Sequence, residues 1–280
     1  CDGEEYLLSE LRDLVSILPE NNNEIGGMEE CMDDLNRLVP DFADEIKDPA
    51  IAFEDLGDNN FFLELKRDFA KEMVTGFISL DGMTVGCVAN RTAVYGEDGS
   101  EQESFEARLT SDGCDKAASF IKTCDAFNIP ILTLTNVEGF ATTVEEEKTI
   151  ASKAAILTAA FAEADVPKVN LITGNAYGSA YITMNSKHIG ADMVFALPDA
   201  NIGMMDAQVA AKIMYADDKD ADISAKAAEF AAQSGTQAAA ARGYVDSIIA
   251  PEAARKQLIF AFELLFTKSE YPIGKKHGTI

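Results

Sequence analysis

One segment constrains this chain more than any other. Lys168-Val-Asn-Leu-Ile-Thr-Gly-Asn-Ala-Tyr-Gly-Ser-Ala-Tyr-Ile-Thr-Met-Asn-Ser-Lys-His188 runs from an apolar strand through a glycine turn into a helix start. The Val, Leu and Ile that follow Val166-Pro167 predict a buried strand, and Gly174 and Gly178 permit close approaches or backbone conformations that a Cβ would block. Ser179, Ala180 and Tyr181 then begin a helix, whose first N–H groups have no partner within it. Donors fixed there are already aimed at a developing oxyanion, which suits enolate or acyl chemistry. The same spacing also suits a tight strand-to-helix turn whose glycines serve packing alone, so the motif by itself leaves both open.

Around this segment, extended apolar runs alternate with helical ones. Strands are expected over 69–80, 83–89, 129–135, 168–173 and 193–197, and helices over 114–127, 146–164, 180–188 and 206–215. Such alternation implies an α/β domain with largely parallel strands. Glu145-Glu146-Glu147 fits a solvated first helical turn, where the dipole favours negative charge. Residues 94–106 look like a surface loop. An acidic arm over 1–60 comes first and packs on a domain covering 61–280. In it, Leu7, Leu8, Leu11, Val15 and Leu18 share one helical face, Gly26-Gly27 breaks that helix, 28–39 predicts a second one, and 41–60 reads as a loop or arm. The Ala-rich stretch over 220–241 offers a smooth face that suits either a dimer interface or internal packing.

The formal charge of −25 repels phosphate-rich partners unless a local basic cluster overrides the field, and Lys275-Lys276 is the one candidate, so no nucleic-acid role is expected. Acidity of this kind also simply favours solubility. No run approaches the roughly 18 to 20 apolar residues that span a bilayer, and no basic-plus-apolar segment opens the chain, so a cytoplasmic protein without membrane insertion is expected. Cys1 in place of Met suggests a fragment or processed product. The five cysteines, Cys1, Cys31, Cys87, Cys114 and Cys124, lack CxxC spacing, and no HExxH occurs, so no metal site is expected. Cys87 and Cys124 read as core thiols. Ser179 and His188 invite a serine-hydrolase interpretation, which loss of hydrolysis in Ser179→Ala would support. On one continuous helix, however, they stand roughly 13 Å apart. His188 then reads as a locally satisfied helix C-terminal residue.

Several blocks together resemble the biotin-dependent carboxyltransferases, in particular the C-terminal half of the carboxyltransferase subunit of propionyl-CoA and acetyl-CoA carboxylases and of related decarboxylases. These are Ile17-Leu18-Pro19-Glu20-Asn21, Phe61-Phe62-Leu63-Glu64-Leu65, Val74-Thr75-Gly76-Phe77, Asp125-Ala126-Phe127-Asn128-Ile129-Pro130, Gly139-Phe140 and the run from Phe161 to Lys168. Tyr177-Gly178-Ser179-Ala180-Tyr181, Asn185-Ser186-Lys187-His188, Gly190-Ala191-Asp192, Ala241-Arg242-Gly243-Tyr244 and Lys276-His277-Gly278 complete the set. Two departures stand out. The family's Pro-Gly-Phe is Glu138-Gly139-Phe140, which places a carboxylate beside the expected biotin site, and its Gly-Gly-Ala is Gly178-Ser179-Ala180, which keeps the backbone donors.

The resemblance implies a crotonase-like superhelix of ββα units with an N-terminal helical arm. It also implies that the chain is the biotin-binding half of an acyl-CoA carboxyltransferase, moving a carboxyl group from carboxybiotin to propionyl-CoA or acetyl-CoA. The backbone at Gly178, Ser179 and Ala180 would form an oxyanion hole, Gly139, Phe140, Tyr177 and Tyr181 would shape the biotin or substrate pocket, and Ile182 would sit where the acyl chain is selected. In that scheme biotin comes on a separate carrier, a coenzyme A thioester is the substrate, and the partners are a CoA-binding N-terminal half, the biotin carboxyl carrier and the biotin carboxylase, in a homo-oligomer. An acidic surface agrees with leaving the CoA phosphates to the other half. A sodium-pump-coupled acyl-CoA decarboxylase subunit, or a half inactive by itself, fits the same residues. Arg242 suits a structural ion pair first, and a carboxylate holder as the alternative.

Overall fold

Whether this chain folds around one sheet is decided by its strands, which are apolar on both faces. The computed structural model describes residues 3–21, 31–96, 98–218 and 221–268; Gly26-Gly27, the first residues of the predicted second helix and the segment holding Lys275-Lys276 and His277 lie outside them. Helices α1 (Glu4–Ile17), α2 (Phe42–Glu45) and α3 (Pro49–Leu56) lead to strands β1 (Phe62–Leu65), β2 (Met73–Leu80) and β3 (Met83–Asn90). Then come β4 (Ala93–Tyr95), β5 (Glu101–Ser104), β6 (Arg108–Leu109), α4 (Ser111–Ala126), β7 (Ile131–Val137), β8 (Gly139–Phe140), α5 (Val144–Glu163), β9 (Lys168–Tyr177) and α6 (Gly178–Thr183). The remainder is β10 (Met193–Ala196), β11 (Asn201–Gly203), α7 (Ala207–Met214), α8 (Ile223–Ser234), α9 (Thr236–Ala241), β12 (Ser247–Ile248) and α10 (Ala254–Leu265).

The main sheet has the order β1-β2-β3-β7-β9-β10-β12, with β11 also on β9. The first two pairings are antiparallel, and from β3 onward all are parallel. Successive residues point to opposite faces. Val88, Ile131 and Ile172 therefore enter a core with α4 and α5, while Cys87, Leu132 and Leu171 enter a second core with α3 and α10. Burial on both faces explains the continuous apolar runs of β3, β7 and β9. Cys87 and Cys124 are fully buried, and burial pushes both thiols well up.

Differences from the sequence reading have local causes. Strand β2 starts at Met73 and not near 69, because Ala70 turns with φ 45° and the buried Lys116 Nζ donates to the carbonyls of Phe69 (2.8 Å) and Ala70 (3.3 Å). Residues 94–106 contain the hairpin β4–β5. The segment 31–39 holds no helix, whereas 41–60, expected as a loop, carries α2 and α3. Asp48 caps α3 by accepting from the Ala50 N–H at 3.2 Å, Pro49 opens it, and Phe53 and Leu56 are fully buried. In α1, Leu7, Leu8, Leu11 and Val15 remain exposed, and Leu14, Ile17 and Leu18 make the packing contact. The Ala-rich stretch divides at Gly235 into α8 and α9; of its alanines, Ala227 and Ala239 are buried.

Glu45 in α2 yields a pH prediction. Burial, and then the charges of Asp55, Asp41, Glu54 and Asp44, push its carboxyl up to about 7 from 4.5, and its Oε2 is buried without a partner. Between those values the folded chain holds a proton that the unfolded chain releases, so stability falls as pH rises through the window. Glu45→Gln is expected to raise the urea midpoint at about pH 8 and leave it nearly unchanged at about pH 4. Equal shifts at both pH values would count against this assignment.

Candidate functional site

The turn from β9 to α6 stands at the end of a largely buried strand paired on both edges. Its last residues pair with β7 on one side (Val137 with Ala176) and with β11 on the other (Asn175 with Asn201, Tyr177 with Gly203). Gly178 takes φ +59°, and a Cβ there would meet the Met204 carbonyl oxygen at 3.1 Å. This is a position where an L side chain is strained and crowded at once. Tyr177 caps the helix with extended backbone. The next N–H groups, those of Ser179 and Ala180, are among the first four of a helix and receive no cap, loop or side-chain acceptor among the described residues. With six residues, α6 has little macrodipole, so its contribution to an anion is that of individual N–H dipoles.

Helix α6 ends at Thr183, well before the expected 188. Asn185 turns with φ 49° and is held from below: its Nδ2 donates to Thr133 Oγ1 at 2.6 Å, and Asn170 Nδ2 donates to the Met184 carbonyl at 3.3 Å. Thr183 Oγ1 donates to the Ser179 carbonyl at 3.0 Å, closing the short helix on itself. The 13 Å separation argued for a single helix therefore does not apply. Instead His188, exposed on a 3-10 turn, makes its ring contacts with Tyr181 (centroids 6.0 Å apart) and Tyr244 (5.0 Å).

Gly139 and Phe140 form β8, which pairs with β6 and packs beside α6. Both are half-buried. The strand end between them and Gly178 is polar: Asn136 Oδ1 accepts the Asn175 N–H at 2.9 Å, and Asn175 Nδ2 donates to Glu138 Oε1 at 2.8 Å. A Cβ on Gly174 would lie 2.5 Å from Asn136 Oδ1, which explains that glycine by packing. Glu138 thus stands fixed beside the turn. Burial, and then the charges of Asp206 and Glu138, push the Tyr177 hydroxyl up, so it stays protonated.

Beside α6 opens a cavity of about 490 Å³. Gly178, Tyr181 and Ile182 line it, together with Met204 and Met205 after β11, Ile213 and Met214 of α7, and Phe230 of α8. Its polar rim carries His188, Gln233, Arg242 and Tyr244. Asp206 positions α7 by accepting the N–H groups of Gln208 (2.9 Å) and Val209 (3.1 Å). Arg242 donates from Nη1 to the Gln233 carbonyl at 2.9 Å and has no carboxylate partner among the described residues, which corrects the expected ion pair. Of the residues singled out in the sequence, Gly178, Tyr181 and Ile182 share this cavity, Ser179 is exposed and Ala180 buried on the same helix, Tyr177 is buried at the end of β9 opposite Gly203, and Gly139 and Phe140 form β8. Met204, Met205 and Ile213 were not foreseen; the amphipathic spacing of 206–215 was the one available sign.

Among the described residues, no group of three or more His, Cys, Asp or Glu side chains could hold a metal, and no helix is long and apolar enough to cross a membrane. The family described as the carboxyl transferase domain matches residues 1–280. A Bacillus subtilis protein provisionally named a propionyl-CoA carboxylase beta chain is 41% identical over 99% of this chain and 55% of its own length. The methylmalonyl-CoA decarboxylase alpha subunit of Propionigenium modestum is 37% identical over 98% of this chain and 54% of its own length. A transcarboxylase 12S crystal structure, described as a hexamer with methylmalonyl-coenzyme A and methylmalonic acid bound, superposes with a TM-score of 0.86 at 32% identity, covering 96% of this chain and 53% of that one. The fold is crotonase-like, and the chain spans about half the length of the relatives it matches.

Proposed function

This chain belongs to the carboxyl transferase domain family, and from that premise we propose that it is the biotin-binding half of an acyl-CoA carboxyltransferase, working in the cytoplasm against a CoA-binding half. The observation that carries this is the pair of unpartnered N–H groups at Ser179 and Ala180 beside an open, largely apolar cavity. Donors held by a rigid turn stabilise negative charge on an oxygen without reorganising as the charge develops. The surroundings fit a biotin ring: Gly178 leaves space that a Cβ would fill against Met204, Phe140 offers an aromatic wall, and Tyr177 stays a neutral donor. Ser179, Ala180, Phe140 and Tyr177 would hold the group. When bound, biotin supplies the carboxyl group and the base for the acyl α-proton. The chain's own part is to position the reacting oxygen, exclude water with Ile182 and the methionines, and leave the adenine and phosphates of coenzyme A to the other half, as its charge of −25 favours.

Carrier-borne biotin, the biotin carboxylase and a homo-oligomer complete the proposed assembly. The hexamer described for transcarboxylase 12S and the exposed alanines of α8 support the last of these. The similarity to the Propionigenium modestum subunit supports a second reading, in which the same site works in the decarboxylating direction.

Acceptor competition tests the proposal. With carboxylated biotin carrier and the CoA-binding half present, label is expected in propionyl-CoA or acetyl-CoA, with a preference set at Ile182. One methylene there discriminates by about 1–3 kcal/mol, or roughly 10- to 200-fold. Label reaching neither thioester, with the carrier bound, would count against the acyl assignment.

A further inference from the structure

Helix α1 rests on the domain through a mixed face and turns its apolar face outward. At about 100° per residue, Leu7, Leu8, Leu11 and Val15 fall on one side of it, while Glu10, Asp13, Leu14 and Ile17 fall on another, centred roughly a third of a turn away. The mixed side is the half-buried one, beside β1, and the Thr84 hydroxyl fastens the helix end by donating to the Ile17 carbonyl at 2.7 Å. On the apolar side, Leu7, Leu8, Leu11 and Val15 are 51, 44, 50 and 67% exposed. A helix of 14 residues draws most of its stability from an apolar face packed against something. Among the described residues, this face has nothing over it. Contiguous exposed apolar side chains rimmed by charge mark an interaction surface.

Charge and length select the occupant. The flanks of the face are acidic, with Glu4, Glu5, Glu10 and Asp13 against Arg12, in a chain of charge −25. A second copy would set the same acidic flanks against these, which like charges oppose. The relatives that this chain matches, moreover, carry a further stretch of comparable length, since the chain spans 55% and 54% of two of them. In the split-site reading that companion holds coenzyme A, and binding its phosphates calls for Lys and Arg. We propose that the Leu7, Leu8, Leu11 and Val15 face of α1 docks onto the CoA-binding half, in an apolar groove edged with cations. This rests on the split-site reading and adds the place where the halves hold each other. The grip lies beside the edge strand β1, whereas the Ser179 and Ala180 donors follow β9 inside the sheet.

The double variant Leu8→Gln, Leu11→Gln separates docking from a structural role, because glutamine keeps the helix propensity and both side chains already face water. The urea midpoint of the chain by itself is therefore expected to stay level. Affinity for the CoA-binding half, measured by calorimetry on the two halves together, is expected to fall roughly ten- to hundredfold, as two half-exposed leucines are no longer covered. An unchanged affinity, in a wild-type mixture that transfers label, overturns the inference alone. So does a lowered midpoint, which would mean that the leucines pack within the chain. Self-association of the wild type that the double variant abolishes would make a second copy the occupant, and overturns it too. A wild type that neither binds the CoA-binding half nor transfers label in its presence overturns the split-site reading as well.

Discussion

Replacing Gly178 by alanine is expected to slow carboxyl transfer by roughly a hundred- to a thousandfold, the usual cost of losing one oxyanion donor. The same change should destabilise the fold by only about 1–2 kcal/mol, the penalty of an L residue in left-handed backbone. At φ +59° the new Cβ meets the Met204 carbonyl at 3.1 Å, so either that strand end or the turn must give. The carbonyl belongs to the chain just beyond β11, which is hydrogen-bonded to β9, so the added Cβ is relieved by a small shift of the otherwise rigid turn. Rotation of the Ser179 and Ala180 donors by a few tenths of an ångström hardly affects folding but removes their aim. Transfer rate and urea unfolding, measured on the same variant, check both halves of the statement. A stable variant with full transfer would show that the donors lie elsewhere.

Arg255→Met should have the largest effect on stability, a loss of about 3–5 kcal/mol, since removing one member of a buried ion pair strands the other. Arg255 is fully buried in α10. Its Nη2 pairs with Asp58 and, at 3.2 Å, with Asp33, and its Nη1 donates to the Asp34 carbonyl at 3.3 Å. Asp58 also accepts from Ser79 Oγ (2.9 Å) and the Gly82 N–H (2.9 Å), so this one guanidinium ties 33–58 to the β2–β3 turn and to the last helix. Burial alone would raise the Asp33 carboxyl, but the Asn59 N–H, Arg37 and Arg255 together lower it. A lowered folded pKa contributes stability that is present above the unfolded value of about 3.8 and lost as pH falls through the folded one, so part of the Arg255 effect should vanish in acid. A loss below about 1 kcal/mol at neutral pH would mean the site relaxes around methionine, as some buried ionic sites do.

These two residues also show where the sequence is legible. The strand, the glycine turn and the helix start around Gly178 are encoded within a dozen residues, because β-branched runs, a left-handed glycine and helix-start residues act locally. The end of that helix is not. Asn185 terminates it through Thr133 and Val169 on neighbouring strands, and nothing between 180 and 188 announces those partners. The same holds for 41–60, where Phe53 and Leu56 look like loop residues until β2 and α10 close over them. The backbone donors were legible in the glycine turn and helix start, but carboxyl transfer as their use came only with the resemblance, since no side chain there announces that chemistry. The cavity wall from Met204 to Met214 was hidden for a different reason: β11 brings it back to β9 across more than twenty residues, and an apolar helix face does not declare what it covers.

The central claim is that this chain supplies one side of a shared carboxyltransferase site. Its most direct test is label transfer from the carboxylated biotin carrier to acyl-CoA, with this chain, the CoA-binding half, and both together. The account predicts transfer in the mixture and background in each half alone, because the thioester and the Ser179 and Ala180 donors meet only when both are present. Transfer by this chain alone, or none in a mixture in which the two halves demonstrably associate, would contradict it.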